Sequence, residues 1–84
     1  MRVEILLFAS LRDELGDTRV LEVAESGPGG TTVGALREAF LLVSPSATRL
    51  GKRILVAVNE QFARDTDPVR PGDTVAFLPP VAGG

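Results

Sequence analysis

Sustained helical periodicity occurs in one stretch of this chain, and segments of strand length lie on both sides of it. From Val33 to Val43 the apolar residues recur at the i, i+3, i+4, i+7 spacing of one helix face, and Thr32 occupies the N-cap position. Strands are predicted at 3–8, 19–23, 54–58 and 74–78, with a short edge strand at 62–63. This order predicts an α+β fold in which a mixed sheet of about five strands packs on one main helix.

The segments between these elements carry turn signals. Ser10 is the candidate N-cap of a short helical turn over 10–15, which Gly16 ends. Ser44-Pro45 is expected to end the main helix, because the residue before a proline disfavours helical geometry. Asn59-Glu60 predicts a turn, and Pro71-Gly72 has the order of a type II turn that leads into the last strand.

The composition narrows the possible functions. With 84 residues the chain forms one small domain, too small for a deep enclosed active site. It has no Cys and no His, which excludes disulfides, a thiolate nucleophile and the commonest metal ligands. A net charge of −2, with both signs interspersed, argues against a nucleic-acid surface. No apolar run can span a bilayer, and the start at Met1 lacks a signal-peptide layout, so a cytoplasmic location is expected.

No catalytic constellation is evident. The serines at 10, 26, 44 and 46 have no evident base to activate them. Asp65 and Asp67 could form a carboxylate pair, but Asp-Thr-Asp-Pro is more typical of a turn. The segment 27–30 is glycine-rich without the Gly-Lys-Ser/Thr ending of a phosphate loop, and it predicts a flexible connection. We therefore expect a protein that is not itself an enzyme and that binds no metal.

The last residues are the strongest candidate for chemistry. We divide the chain into a domain at 1–78 and a tail at 79–84. The prolines fix φ and stiffen the tail, while the absence of Cβ atoms lets its glycines enter a narrow cleft. The carboxylate of Gly84 must be activated before it reacts at carbon, for example as an acyl-adenylate, so a partner must bring ATP. The residues expected to thread into a partner are Pro79, Pro80, Val81, Ala82 and Gly83.

An apolar patch is predicted at the base of the tail. If the first and last strands lie side by side, the residues that alternate away from the helix are Leu6, Phe8, Ala76 and Leu78. A contiguous exposed apolar surface commonly marks a docking site. The alternative is that the loop over residues 10–18 folds across part of this patch.

The chain resembles the small, sulfur-carrying subunit of molybdopterin synthase, a β-grasp (ubiquitin-like) protein. The matching stretches are 3–16, 32–36, 56–59 and 71–84, and the resemblance covers nearly the whole chain. The last of these contains Val-Ala-Phe-Leu-Pro-Pro-Val-Ala-Gly-Gly, and this context of the Gly-Gly end is specific to the family. One departure is Leu78, a position that is often aromatic in the family.

The resemblance implies a function for each part. An E1-like adenylating and sulfurating enzyme, using ATP with Mg²⁺, would activate Gly84 and convert it to a thiocarboxylate. The charged chain would dock on the large synthase subunit, thread its tail into the active site there, and donate sulfur to cyclic pyranopterin monophosphate. Two donations would build the dithiolene of molybdopterin, in a heterotetramer with a central dimer of large subunits.

Two other interpretations stay open. The chain could carry sulfur for another pathway, such as thiamin synthesis or tRNA thiolation, or modify protein lysines; the Gly-Gly end alone does not separate these from the first function. It could also be a non-covalent ubiquitin-like interaction module whose tail is idle.

Overall fold

A five-stranded sheet with helices on one face forms the fold of the computed structural model, which describes residues 1–27 and 29–80. The strands are β1 (Arg2–Leu7), β2 (Thr18–Glu22), β3 (Thr31–Thr32), β4 (Leu55–Val58), β5 (Gln61–Phe62), β6 (Pro68–Val69) and β7 (Val75–Leu78). The helices are α1 (Ala9–Leu15), α2 (Val33–Leu41) and α3 (Pro45–Leu50), and a 3₁₀ turn follows at Gly51–Arg53. The predicted α+β class, with a mixed sheet on one main helix, is confirmed.

The last strand lies in the middle of the sheet. The strand order is β2-β1-β7-β4-β5, so β7 is hydrogen-bonded on both edges. It pairs in parallel with β1, with Leu6 opposite Ala76, and antiparallel with β4, with Leu55 opposite Leu78. The other neighbours in this sheet are antiparallel, and β3 and β6 form a separate two-stranded sheet. The condition on which the predicted apolar patch depends, that the first and last strands lie side by side, is met.

The core lies between the sheet and α2. Alternate residues of the two central strands face the helix, as the period of two predicts, and α2 contributes the residues of its predicted apolar face. Phe40 of α2 meets Phe77 of β7 edge to face, with ring centroids 4.7 Å apart. The buried apolar side chains of the described residues are Val3, Ile5, Leu7, Leu11, Leu21, Val33, Leu36, Phe40, Ala47, Ile54, Val56, Val69, Val75 and Phe77.

Polar contacts fix the start and the middle of α2. The Thr32 hydroxyl accepts a hydrogen bond from the Ala35 N–H at 3.2 Å, so the predicted N-cap is confirmed. Arg37 is buried on the same helix and donates to Asp65 Oδ1 at 3.0 Å and to the Ile54 carbonyl at 2.6 Å. We call these two contacts the Arg37 clamp. The clamp ties α2 to the start of β4 and to the turn that precedes β6.

Several boundaries differ from the prediction. Ser10 is not the N-cap of α1: the helix begins at Ala9, Phe8 holds the cap position, and no side chain makes a capping bond. The main helix stops before Pro45, as expected, but a second helix that was not predicted begins there. Its N-cap is Ser44, whose hydroxyl accepts the Ala47 N–H at 3.0 Å. The short edge strand lies at Gln61–Phe62 rather than at 62–63, and β3 and β6 were not predicted.

The predicted turns are confirmed. Gly16 ends α1 with φ of +96°. Asn59 and Glu60 both have positive φ, +52° and +69°, which is the geometry of a tight hairpin between β4 and β5. Gly72 has φ of +91° in the Pro71-Gly72 turn, as a type II turn requires. Among the described residues, no helix has the length and apolar character needed to cross a bilayer.

Candidate functional site

The tail leaves the fold from the central strand of the sheet, which has a hydrogen-bonded neighbour on each edge. β7 ends at Leu78, and the next two residues, Pro79 and Pro80, have no N–H with which to continue the ladder. Both prolines are half-buried. The remaining predicted tail residues, Val81, Ala82, Gly83 and Gly84, lie outside the described part of the chain. Their roles in threading and activation stay predictions.

The four residues predicted for docking lie on the face of the sheet that is turned away from α2. Leu6 and Ala76 stand opposite each other in the parallel β1–β7 pair, and Leu78 is two residues further along the same face. Phe8 follows the Leu7–Phe77 pair, so the same register brings it beside Leu78. Phe8 is 42% exposed, and the other three are half-buried. The structure brings them together; that they dock a partner stays a prediction.

Three further apolar residues extend this surface across β4 and β5. Leu55 is opposite Leu78, Ala57 is opposite Ala76, and Phe62 is opposite Ala57, so all three share its face. Leu55 is 39% exposed and Phe62 is 72% exposed. We call this set of seven residues the open face; it consists of Leu6, Phe8, Leu55, Ala57, Phe62, Ala76 and Leu78.

Two transverse rows make up the open face. The first row crosses four strands, from Leu6 through Ala76 and Ala57 to Phe62, which at about 4.8 Å between strands spans about 14 Å. The second row, with Leu78 at its centre, lies directly beside the prolines of the tail. An apolar surface of this extent at the root of the tail can dock a partner and direct the tail toward it.

The segment after β1 does not cover the open face. Leu11 of α1 is fully buried in the core on the helix side of the sheet. The Glu14 carboxylate accepts hydrogen bonds from the Ser44 and Ser46 hydroxyls at the start of α3, and from the Ser46 N–H at 3.3 Å. The bond from Ser44, followed by that from Ser46, lowers the pKa of Glu14. The alternative, in which residues 10–18 fold over the patch, is therefore wrong for residues 10–15, which belong to α1.

The other candidate groups have structural roles. Asp65 pairs with Arg37, whereas Asp67 Oδ2 accepts the Arg64 N–H at 2.9 Å and closes a turn on itself. The turn interpretation is confirmed, and the two carboxylates do not act as a pair. In the glycine-rich loop, the Gly30 N–H donates to the Gly27 carbonyl at 3.3 Å; Pro28 lies outside the described residues.

The sequence of this chain is similar to those of known small carrier proteins. The sequence profile of the ThiS family matches residues 5–84. The chain belongs to the ThiS family. Its predicted resemblance to the sulfur-carrier subunits of molybdopterin synthase is confirmed by curated relatives of that name. The relative from Escherichia coli is 40% identical over 85 residues, which is 98% of this chain and 99% of the relative.

A second relative of this ThiS-family chain, from Mycobacterium tuberculosis, has the same name and is 33% identical, with 100% of this chain and 99% of the relative covered. Among solved structures, the crystal structure of small archaeal modifier protein 1 from Haloferax volcanii matches with a TM-score of 0.73 at 28% identity. That match covers 95% of this chain and 98% of the other. The ubiquitin-like β-grasp fold is thereby confirmed.

Proposed function

We propose that this ThiS-family chain is the sulfur-carrier subunit of a molybdopterin synthase and that it carries sulfur as a thiocarboxylate at Gly84. The observation that carries the proposal is the 40% identity to the Escherichia coli molybdopterin synthase sulfur carrier subunit over 99% of that protein. The position of the open face beside the tail prolines supports it independently. A carrier needs a surface that binds its partner and a reactive end that reaches the partner's active site.

The chemistry takes place in two steps on a partner enzyme. The Gly84 carboxylate attacks the α-phosphate of ATP, held with Mg²⁺ by an E1-like activating enzyme, and pyrophosphate leaves. A sulfide supplied by that enzyme's sulfur donor then attacks the acyl carbon and displaces AMP, so that a C–S bond replaces the C–O bond to phosphate and the thiocarboxylate is left after loss of a proton. The chain contributes an unhindered acyl carbon, because glycine has no Cβ to shield it.

In the second stage the loaded chain docks on the large synthase subunit. The open face supplies the binding energy, so that the tail needs little affinity of its own to enter the active site. There the thiocarboxylate donates sulfur to cyclic pyranopterin monophosphate, and two donations complete the dithiolene. We propose a heterotetramer with a central dimer of large subunits, located in the cytoplasm, where ATP for the activation is available.

Intact-mass spectrometry tests the proposal. The full chain is incubated with ATP, Mg²⁺, the activating enzyme and a sulfur donor, and its mass is expected to rise by the difference between one sulfur and one oxygen. A variant that lacks Gly84 is the matched control and should show no gain. If the full chain gains no mass with its cognate enzyme, the carrier function is refuted.

One observation favours a second function. The likeness to small archaeal modifier protein 1 suggests attachment of the chain through its terminus to protein amines. In the same incubation, with target proteins added, this function predicts covalent conjugates in place of free thiocarboxylate. A carrier for thiamin or tRNA thiolation would gain the same sulfur, but it would not restore molybdopterin in cells that lack their own small subunit.

A further inference from the structure

A cation ends the second row of the open face, beside the tail. The Ala63 N–H donates to the Val56 carbonyl at 2.9 Å, so the register of β4 and β5 continues past the end of β5. Arg64 therefore stands opposite Leu55, and opposite residues of an antiparallel pair share a face. The exposed Arg64 side chain extends the row that runs through Leu78 and lies next to the tail prolines.

The guanidinium of Arg64 makes no salt bridge within the described part of the chain. The two carboxylates that follow it in the sequence are engaged in other contacts. Asp65 belongs to the Arg37 clamp, and Asp67 accepts the backbone N–H of Arg64 at 2.9 Å. The Arg64 charge is therefore available to a partner that covers the open face.

The opposite end of the open face carries a carboxylate. Glu4 is exposed on β1 and alternates with the buried Val3 and Ile5, so its side chain lies on the same face as the apolar rows. Glu4 also makes no salt bridge among the residues that the structure describes. This end therefore presents a charge of opposite sign to that of Arg64.

The cations near Glu4 have partners of their own. Two cationic side chains, those of Arg2 and Arg70, line the hollow beside it. Arg2 is paired with Glu22 at 3.2 Å, and Arg70 lies next to Asp73, whose carboxylate accepts the Arg70 N–H at 2.8 Å. At the end of the strand, the N-terminal ammonium donates to a backbone carbonyl after β2. Glu4 is thus left to pair with a partner's cation.

The two charges lie far apart and mark a direction on the face. Arg64 and Glu4 are separated by three strand spacings, about 14 Å, and by four residues along the strands, about 13 Å, which gives a diagonal of about 19 Å. Burial of apolar surface is non-directional, whereas unlike charges at two ends favour one orientation of a partner. The tail leaves at the Arg64 end, so the orientation of docking determines where the tail points.

We infer that Arg64 and Glu4 orient the open face on its partner, whose surface places a carboxylate against Arg64 and a cation against Glu4. The inference rests on the proposed function, because the partner meant is the large synthase subunit. In the reversed orientation each charge would face one of like sign, and the tail would point away from the active site. Both side chains are exposed at the rim, so they act mainly on the rate of association.

Charge-reversed variants test the inference by titration of the large subunit, with association rates measured by stopped flow. Arg64→Glu and Glu4→Lys should each weaken binding on the order of tenfold, mainly through slower association. The double variant keeps the native net charge but reverses the direction of the face, and at this separation the two losses should add to about a hundredfold. At about 1 M salt, where the screening length is about 3 Å, the differences should shrink to less than about threefold.

Arg19→Glu and Glu38→Lys are the matched controls. They make the same changes of charge at exposed positions on the helix side, because Arg19 stands opposite the buried Ile5 and Glu38 lies on α2. All four positions are exposed, so the variants should fold, which urea unfolding verifies.

The outcomes separate this inference from the proposed function. Native-like binding by the double variant, or losses for the two controls equal to those for Arg64→Glu and Glu4→Lys, would overturn the inference and leave the proposed function standing. If the native chain does not bind the large subunit, both are overturned.

Discussion

Replacing Phe62 with alanine tests whether the open face is the surface that binds the large synthase subunit. A phenylalanine buries about 200 Å² when fully covered, and 72% of this one is exposed, so about 145 Å² is free to be covered by a partner. At about 25 cal/mol per Å² this surface contributes at most about 3.6 kcal/mol. A partner covers the ring incompletely, and the alanine side chain of the variant keeps part of the contact. The expected loss of binding free energy is therefore about 1–2.5 kcal/mol, or about 5- to 70-fold in Kd.

The assay is calorimetric titration of the large subunit with the native chain and with Phe62→Ala. Leu42→Ala is the control, because Leu42 is equally apolar and more exposed but lies on the opposite side of the fold. Urea unfolding should show that neither change alters the free energy of unfolding by more than about 0.5 kcal/mol. An unchanged Kd for Phe62→Ala, or an equal loss for Leu42→Ala, would refute the assignment of the open face.

Two further predictions concern stability. Arg37→Ala should lower the free energy of unfolding by about 2–4 kcal/mol, measured in urea, because the buried Ile54 carbonyl loses its donor and the partly exposed Asp65 carboxylate loses its ion-pair partner. Glu14→Gln should flatten the acid dependence of stability. Because the Ser44 hydroxyl lowers the pKa of Glu14, its stabilisation is fully present above the ordinary glutamate pKa of about 4.3 and is lost as the pH falls through the lowered value.

The Arg37→Ala and Glu14→Gln predictions each have a control. Arg53 is exposed and, among the residues that the structure describes, donates only to the nearby Leu50 and Arg49 carbonyls, so Arg53→Ala should cost less than about 0.5 kcal/mol. An Arg37→Ala loss as small as this would mean that the clamp contributes little. For Glu14, urea unfolding of the native chain and of Glu14→Gln is compared near pH 6 and again below the ordinary glutamate pKa. If the two proteins lose stability in parallel between these conditions, the bonds from α3 do not hold the carboxylate.

The elements with long or regular patterns could be predicted from the sequence. The spacing in α2 and the hydroxyl of Thr32 determine that helix locally, and alternation in β1 and β7 determines which side chains face the core. The strands β3 and β6 could not be found, because a pair of residues has no periodicity and their pairing depends on a contact between distant segments. The helix α3 could not be predicted in the same way, because a proline disfavours the helical residue before it and is also favourable at the first position of a new helix.

The residues of the open face also differ in whether the sequence alone could predict them. Leu6, Ala76 and Leu78 follow from alternation along single strands. Leu55 and Ala57 could not be predicted in this way, because they belong to a continuous apolar run, which is typical of a strand buried on both faces. Only the register of β4 with β7 shows that one face of β4 is open. The exposed Phe62 could have been noticed, since a large apolar residue directly after a tight turn has few core positions available.

The central place of β7, with a parallel neighbour on one side, bears on how the fold withstands traction. A partner that pulls the tail along the strand loads the hydrogen bonds to β1 and β4 in shear, so that many must break together instead of opening one after another from an end. An outer strand would peel away under the same force. We therefore expect a domain of this topology to keep its fold when a partner draws on its terminus.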